Sequence, residues 1–196
     1  MKKIIVLTLI GLLVALVVGC AGGASTVQRT PIPTLIPATM PAPSGEVVMA
    51  SYGRGDCPIM ALDLLAAWVK AGHPESAPFE IQSLTGPTCQ ATFPVDVQPL
   101  FKEPNVWFAG AIACTSCHGE NVKSSSAQMS LATYADIVAG SRRTDPNAPG
   151  KTILDDGSGN FAKAPLYTMI FSRQMPMGRP QDSPQKGPVV FVGKKK

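Results

Sequence analysis

Hydrophobic residues fall along this chain in three regimes. Across residues 4–18 they run almost unbroken, behind Lys2 and Lys3 and ahead of Gly19 and Cys20. Across 21–45 the pattern lapses, with no helical or strand period between Pro31, Pro33, Pro37, Pro41 and Pro43. Beyond that, short periodic segments alternate with loops. Residues 58–71 carry apolar positions at helical spacing, with Asp63 early, Lys70 late, and Gly72 and Pro74 past the end, the signals of a helix and its stop. Phe79, Ile81 and Ser83, then Cys89, Ala91 and Phe93, alternate about Gly86-Pro87 and predict a short β-hairpin. Residues 105–113, behind Pro104, predict a helix. Leu131, Tyr134 and Val138 share a second helical face that ends at Gly140. Pro165, at a first helical position, opens another helix running to about Arg173. The remainder reads as loop.

A basic pair, an apolar run of 15 residues and a small residue follow the order of a secretory signal, and the run is short for a spanning helix of about 20. Val17-Val18-Gly19-Cys20 resembles a bacterial lipobox, in which Cys20 receives a diacylglycerol and becomes the new N-terminus. An uncleaved signal anchor with an incidental Cys20 is the alternative. Either way the rest of the chain is expected at a membrane surface, facing the periplasm or the cell exterior. Stable anchoring takes more than one acyl chain, which a triacylated cysteine supplies. The proline-rich stretch behind Cys20 favours extended polyproline II and reaches on the order of 75 Å at about 3.1 Å per residue.

Composition narrows the class. At 196 residues the chain is one domain plus appendages. With 15% charged and 45% hydrophobic residues it is neither a charge-rich disordered chain nor a coiled coil. Its 18 glycines and 19 prolines, nearly double ordinary usage, predict long loops. The formal charge is +4, and removal of Lys2 and Lys3 leaves +2. No basic face is visible, so nucleic acid is not an expected partner.

The five cysteines are Cys20, Cys57, Cys89, Cys114 and Cys117. Cys114-Thr115-Ser116-Cys117-His118 is C-x-x-C-H, the haem c attachment pattern, whose thiols add to the haem vinyl groups while the histidine reaches the iron. Five cysteines and two histidines placed at random give this pattern in roughly one such chain in a thousand. A thioredoxin-like motif lacks its βαβ context, a zinc site lacks ligands, and a plain disulfide leaves His118 unexplained. Cys57 and Cys89 remain once lipid and haem are assigned, and an oxidising compartment permits a disulfide between them; two free buried thiols are the alternative.

For the sixth iron ligand, His73 stands at a helix end and reads as an exposed terminal histidine. Met60 and Met169 fall in predicted helices as core residues, and Met129 follows His118 too closely. The irregular stretch 173–180 offers Met175, just before Pro176, as the axial ligand, with Met177 as runner-up. A thioether ligand raises the reduction potential.

Residues 95–180 resemble a class I c-type cytochrome domain, on Val97-Gln98-Pro99-Leu100-Phe101, the Cys114–His118 motif and Met175-Pro176-Met177-Gly178. The resemblance implies a mainly α fold around one haem c and one-electron transfer at an exposed haem edge, without catalytic residues. Two departures stand out. Ser130 occupies the place of the family's usual proline, so the carbonyl orienting His118 must come from elsewhere. Residues 181–196 form an extended basic tail rather than a closing helix. Residues 61–72 resemble that closing helix, so a circularly permuted cytochrome fold is expected, with Leu64, Leu65 and Trp68 packed on a helix carrying Val106, Phe108 and Ile112. A separate helix packing only on the hairpin is the alternative.

The expected organisation is a signal peptide at 1–19, anchor and tether at 20–46, a helix-and-hairpin segment at 47–94, a cytochrome c domain at 95–180 and the tail at 181–196. As a whole it also resembles the lipid-anchored monohaem subunit of alternative complex III, a quinol-oxidising assembly. That implies partners among the subunits of a membrane electron-transfer complex and a soluble electron-carrier protein, within a respiratory or photosynthetic chain. A haem-based sensor and a cytochrome subunit of a periplasmic dehydrogenase or oxidase are the alternatives. Mass spectrometry of the mature protein is expected to show acyl groups on Cys20; an intact Met1 terminus is the opposite result.

Overall fold

In the structure, a computed structural model that describes residues 53, 55–142, 145 and 147–196, the chain enters along strand β1 (Cys57–Met60). The expected signal peptide, Cys20 and the tether lie outside the described residues. Cys57 and Ile59 turn one face of β1 inward. The strand runs directly into helix α1 (Ala61–Lys70), whose Leu62, Leu64, Leu65 and Trp68 are buried. Met60 offers no capping side chain. Instead the Ala61 and Leu62 N–H groups donate to the carbonyls of Pro188 (2.9 Å) and Lys186 (3.0 Å), which supplies two of the partners that a helix N-terminus lacks.

Strands β2 (Phe79–Gln82) and β3 (Thr88–Ala91) form the expected hairpin, with Phe79, Ile81, Cys89 and Ala91 facing the core. A wide turn at Phe93–Val97 leads into the one-turn helix α2 (Pro99–Lys102). Helices α3 (Tyr134–Ala139) and α4 (Pro165–Phe171) follow, then strands β4 (Val189–Val192) and β5 (Lys194–Lys195). Among the described residues no helix is long and apolar enough to cross a membrane.

The expected mainly α, class I cytochrome fold does not form. Among the described residues helix of every kind covers 29% and strand 14%, with the strands in two small sheets. The helix predicted at 105–113 is a loop. Asn105 has φ 63°, its Oδ1 accepts the Gly110 N–H at 2.8 Å, and its N–H donates to the Ala111 carbonyl at 2.8 Å. That closed turn still buries Val106 and Trp107, so the apolar run that suggested a helix belongs to a packed loop. With no helix there, the permuted packing fails as well. Trp68 stacks on Phe93 (centroids 5.0 Å apart) and meets Tyr134 edge-on, while Ile112 is exposed.

The 181–196 segment, expected as an extended basic tail, passes through turns over 181–187 and then pairs as two short strands. Strand β4 pairs antiparallel with β1, placing Cys57 opposite Val192. Strand β5 pairs with β3, placing Cys89 opposite Lys195. Gly193 makes the corner between the two sheets. Its φ is +61°, and a Cβ there would lie 2.4 Å from the Gln90 carbonyl oxygen. The buried Asp96 carboxylate holds that corner, accepting the Gly193 N–H (2.8 Å) on one oxygen and the Thr92 N–H (2.7 Å) on the other. Across the junction Cys57 and Cys89 form the disulfide expected from the cysteine count.

The bridge spans 32 residues, so replacing both cysteines by alanine is expected to lower the unfolding free energy by about 3–4 kcal/mol. Equilibrium denaturation measures the loss. Thiol labelling of the denatured, unreduced protein is expected to leave Cys57 and Cys89 unmodified.

Candidate functional site

The C-x-x-C-H segment opens with a tight turn at Cys114–Ser116, closed by N–H bonds from Cys117 (3.2 Å) and His118 (2.9 Å) to the Cys114 carbonyl. One turn thus gathers two thiols and an imidazole. The chain then doubles back: the Ser126 N–H donates to the Cys117 carbonyl (2.9 Å) and the Leu131 N–H to the His118 carbonyl (2.8 Å). This return carries the Ser126 carbonyl to 2.9 Å from His118 Nδ1. A ring nitrogen facing a carbonyl must carry the proton, which leaves Nε2 with its lone pair. Burial pulls the His118 pKa below its ordinary value, against the opposing pull of the Ser126 carbonyl, and so favours the neutral ring.

The orienting carbonyl comes from a strained return rather than from a proline. Ala127 and Gln128 have φ of 57° and 47°. Ser141 Oγ donates to the Ala127 carbonyl (2.7 Å), and the Arg142 N–H donates to the Gln128 carbonyl (3.1 Å). Ser141 is held in turn by a two-way bridge to Lys151, at an approach so close that a Cβ on Gly140 would lie 2.0 Å from the Lys151 carbonyl oxygen. Ser130 donates to Asp136 at 2.9 Å and so ties the return to the first turn of α3.

The second wall is α4 and the loop beyond it. The Gln174 and Met175 N–H groups both donate to the Met169 carbonyl at 3.0 Å, and the Met175–Pro176 peptide is cis. Met175 is half-buried, whereas Met177 is 68% exposed.

These elements enclose a cavity of about 350 Å³ that brings together Cys114, Cys117, His118 and Met175. Phe101, Trp107, Leu131, Ile153 and Ile170 supply its apolar walls. Trp107 spends its indole N–H on the Leu100 carbonyl (2.8 Å), so the face it contributes is apolar. Met129, Met169 and Met177 also reach the cavity. His73 does not; it packs on Trp68, and the Tyr134 hydroxyl donates to its carbonyl (2.9 Å).

The donor set fits a c-type haem: two thiols for covalent attachment, one imidazole nitrogen freed for iron, and a thioether on an apolar wall. It does not fit a bare metal ion. Two thiols and one histidine fall short of the four ligands of a structural zinc site, and among the described residues no three His, Cys, Asp or Glu side chains are grouped so as to hold a metal ion. Two features of the site carry no side-chain signature in the sequence. The histidine partner is a backbone carbonyl, and Arg179, four residues beyond Met175, donates to the backbone carbonyls of Ile170, Pro184 and Gln185. No protein-family model, curated protein or solved structure matches this chain.

Burial pushes the Cys114 thiol up to about 11, with the neighbouring Cys117 contributing less. A thiol with that pKa is about 99.9% protonated at pH 8. In haem-free Cys117→Ser protein the alkylation rate of Cys114 is therefore expected to keep climbing roughly tenfold per pH unit past pH 9, where an ordinary thiol levels off. Iodoacetamide kinetics across pH 7–10.5 measure it.

Proposed function

We propose that this chain is a monohaem c-type cytochrome that carries single electrons at a membrane surface. The observation that supports it is the convergence of Cys114, Cys117, His118 and Met175 on one apolar cavity, with the His118 ring held in the tautomer that leaves Nε2 for iron. Cys114 and Cys117 would hold the haem through thioether bonds, and His118 and Met175 would be the axial ligands. When bound, haem supplies reversible one-electron exchange between ferric and ferrous iron.

The chain's own residues do the rest. The Ser126 carbonyl fixes the imidazole plane and raises its basicity, as such outer partners do for ligating histidines. Phe101, Trp107, Ile153 and Ile170 exclude water from the cavity walls, which favours the state of lower charge. The backbone bonds of Gln174 and Met175 to Met169 present the thioether from the end of α4. With His118 and Met175 both holding the iron, no open site would remain for a gas or a substrate, and electron transfer would be the chemistry left.

The same proposal includes a lipid anchor on a membrane, and the basic-then-apolar N-terminus that ends in Cys20 is what supports it. An anchored single-haem carrier suits a subunit of a quinol-oxidising complex that passes electrons to a soluble carrier protein.

The purified holoprotein is expected to show one haem c per chain in the alkaline pyridine spectrum and a thioether-to-iron charge-transfer band when ferric. The ferrous form is expected to bind CO poorly. Met175→Ala is expected to abolish the band, lower the potential and admit CO, whereas Met177→Ala leaves all three unchanged. Ready CO binding by the wild-type protein would favour the open-site sensor instead.

A further inference from the structure

We propose that Arg179 is a positioning residue that clamps the loop bearing Met175 shut and so keeps its thioether on the iron. This rests on the reading of Met175 as an axial ligand. Arg179 is only 4% exposed, yet its guanidinium meets no carboxylate among the described residues. Nη1 donates to the Ile170 carbonyl (2.8 Å), Nη2 to the carbonyls of Gln185 (3.2 Å) and Pro184, and Nε to Ser183 Oγ (3.1 Å). The cation also lies over the Trp107 ring, 5.9 Å from its centroid, on a residue that walls the cavity.

Neutral acceptors on every side satisfy the donors but leave the charge uncompensated, and burying a charge in that way costs free energy. What the arrangement achieves is geometric. Ile170 lies in α4, before the loop, and 183–185 lie after it, so one rigid fork ties together the two ends of the segment that contains Met175. Within that segment the backbone adds only local bonds: the two to Met169, Arg173 N–H to the Ile170 carbonyl (3.0 Å), Arg179 N–H to the Pro176 carbonyl (3.3 Å) and Ser183 N–H to the Pro180 carbonyl (3.2 Å), none of which joins α4 to 183–185. Arg173 Nε reinforces the closure from the surface by donating to the Ser183 carbonyl at 2.8 Å. A lysine cannot replace the fork, because one compact ammonium does not span Ile170 and Gln185 together.

The test compares Arg179→Gln and Arg179→Lys holoproteins with wild type and with Met175→Ala, well below the melting temperature of each. Haem content, the ferric thioether band and the rate of CO binding to the ferrous form are measured. Both arginine variants are expected to keep their covalent haem, lose much of the band and bind CO about tenfold faster or more, since one lost charge-assisted hydrogen bond is enough to shift a closed–open equilibrium by that factor. The Lys variant is expected to fail although it keeps the charge, which separates the clamp from a field effect on the iron.

A loaded variant with wild-type band and CO rate overturns the proposal, and if one variant does not load haem the other decides. If neither loads while Met175→Ala does, Arg179 is a determinant of the whole fold and the proposal is overturned. A wild-type protein that lacks the band overturns Met175 as ligand and this proposal with it. A wild type that has the band, beside unchanged variants, overturns this proposal alone.

Discussion

Residues 186–195 hydrogen-bond through their backbone to β1, α1, β3 and the wide turn, four of the elements that precede the C-x-x-C-H motif. Their carbonyls cap α1, β4 pairs with β1, β5 pairs with β3, and the Gly193 N–H seats on Asp96 beside the wide turn. None of these elements is self-sufficient. Strands of four residues and a ten-residue helix are marginal alone, because nucleation and pairing cost more conformational entropy than so few bonds return. The segment that pairs them lies more than a hundred residues from β1 in the chain, and closing such a loop is slow and entropically costly. The Cys57–Cys89 bridge removes part of the cost of assembling this frame by tying β1 to β3 in the unfolded chain.

The cavity inherits its order from this frame. Trp107, a wall of the cavity, is covered by Gly187, where a Cβ would lie 2.7 Å from the indole ring. Trp68, Phe93 and Tyr134 form an aromatic cluster that joins α1 to α3, and α3 in turn carries Asp136, the partner of Ser130 in the return that orients His118. The side chains of the proposed site therefore sit on loops, but the loops are pinned at their ends to short regular elements. That is how an imidazole and a thioether are brought to one cavity without long helices.

Much of the chemistry was legible in the residues. C-x-x-C-H needs only local spacing, so Cys114, Cys117 and His118 fall together whatever surrounds them. The hairpin follows from a period of two about Gly86-Pro87, and α4 from Pro165 at a first helical position. Cys57 and Cys89 are the two cysteines without another assignment, and the structure joins them. Met175 is singled out by its irregular, proline-bounded loop, and it reaches the cavity half-buried while Met177 stays exposed.

What local pattern misjudged is where an apolar run goes when no partner helix exists. Residues 105–113 have helix-like apolar content, but Asn105 and Gly110 close a turn whose hydrogen bonds compete with the helix, and burial of Val106 and Trp107 rewards the loop equally well. The tail shows the converse: Val189–Val192 has no amphipathic period because its value lies in pairing with β1, a partner no window of sequence contains. The orienting carbonyl of Ser126 and the fork of Arg179 were decided at the same level, since a backbone oxygen has no residue type to read and an arginine's acceptors are chosen by the fold. The sequence by itself determined the donor atoms and their order along the chain. Only the tertiary structure decided which way they face, because direction is set by non-local hydrogen bonds and burial.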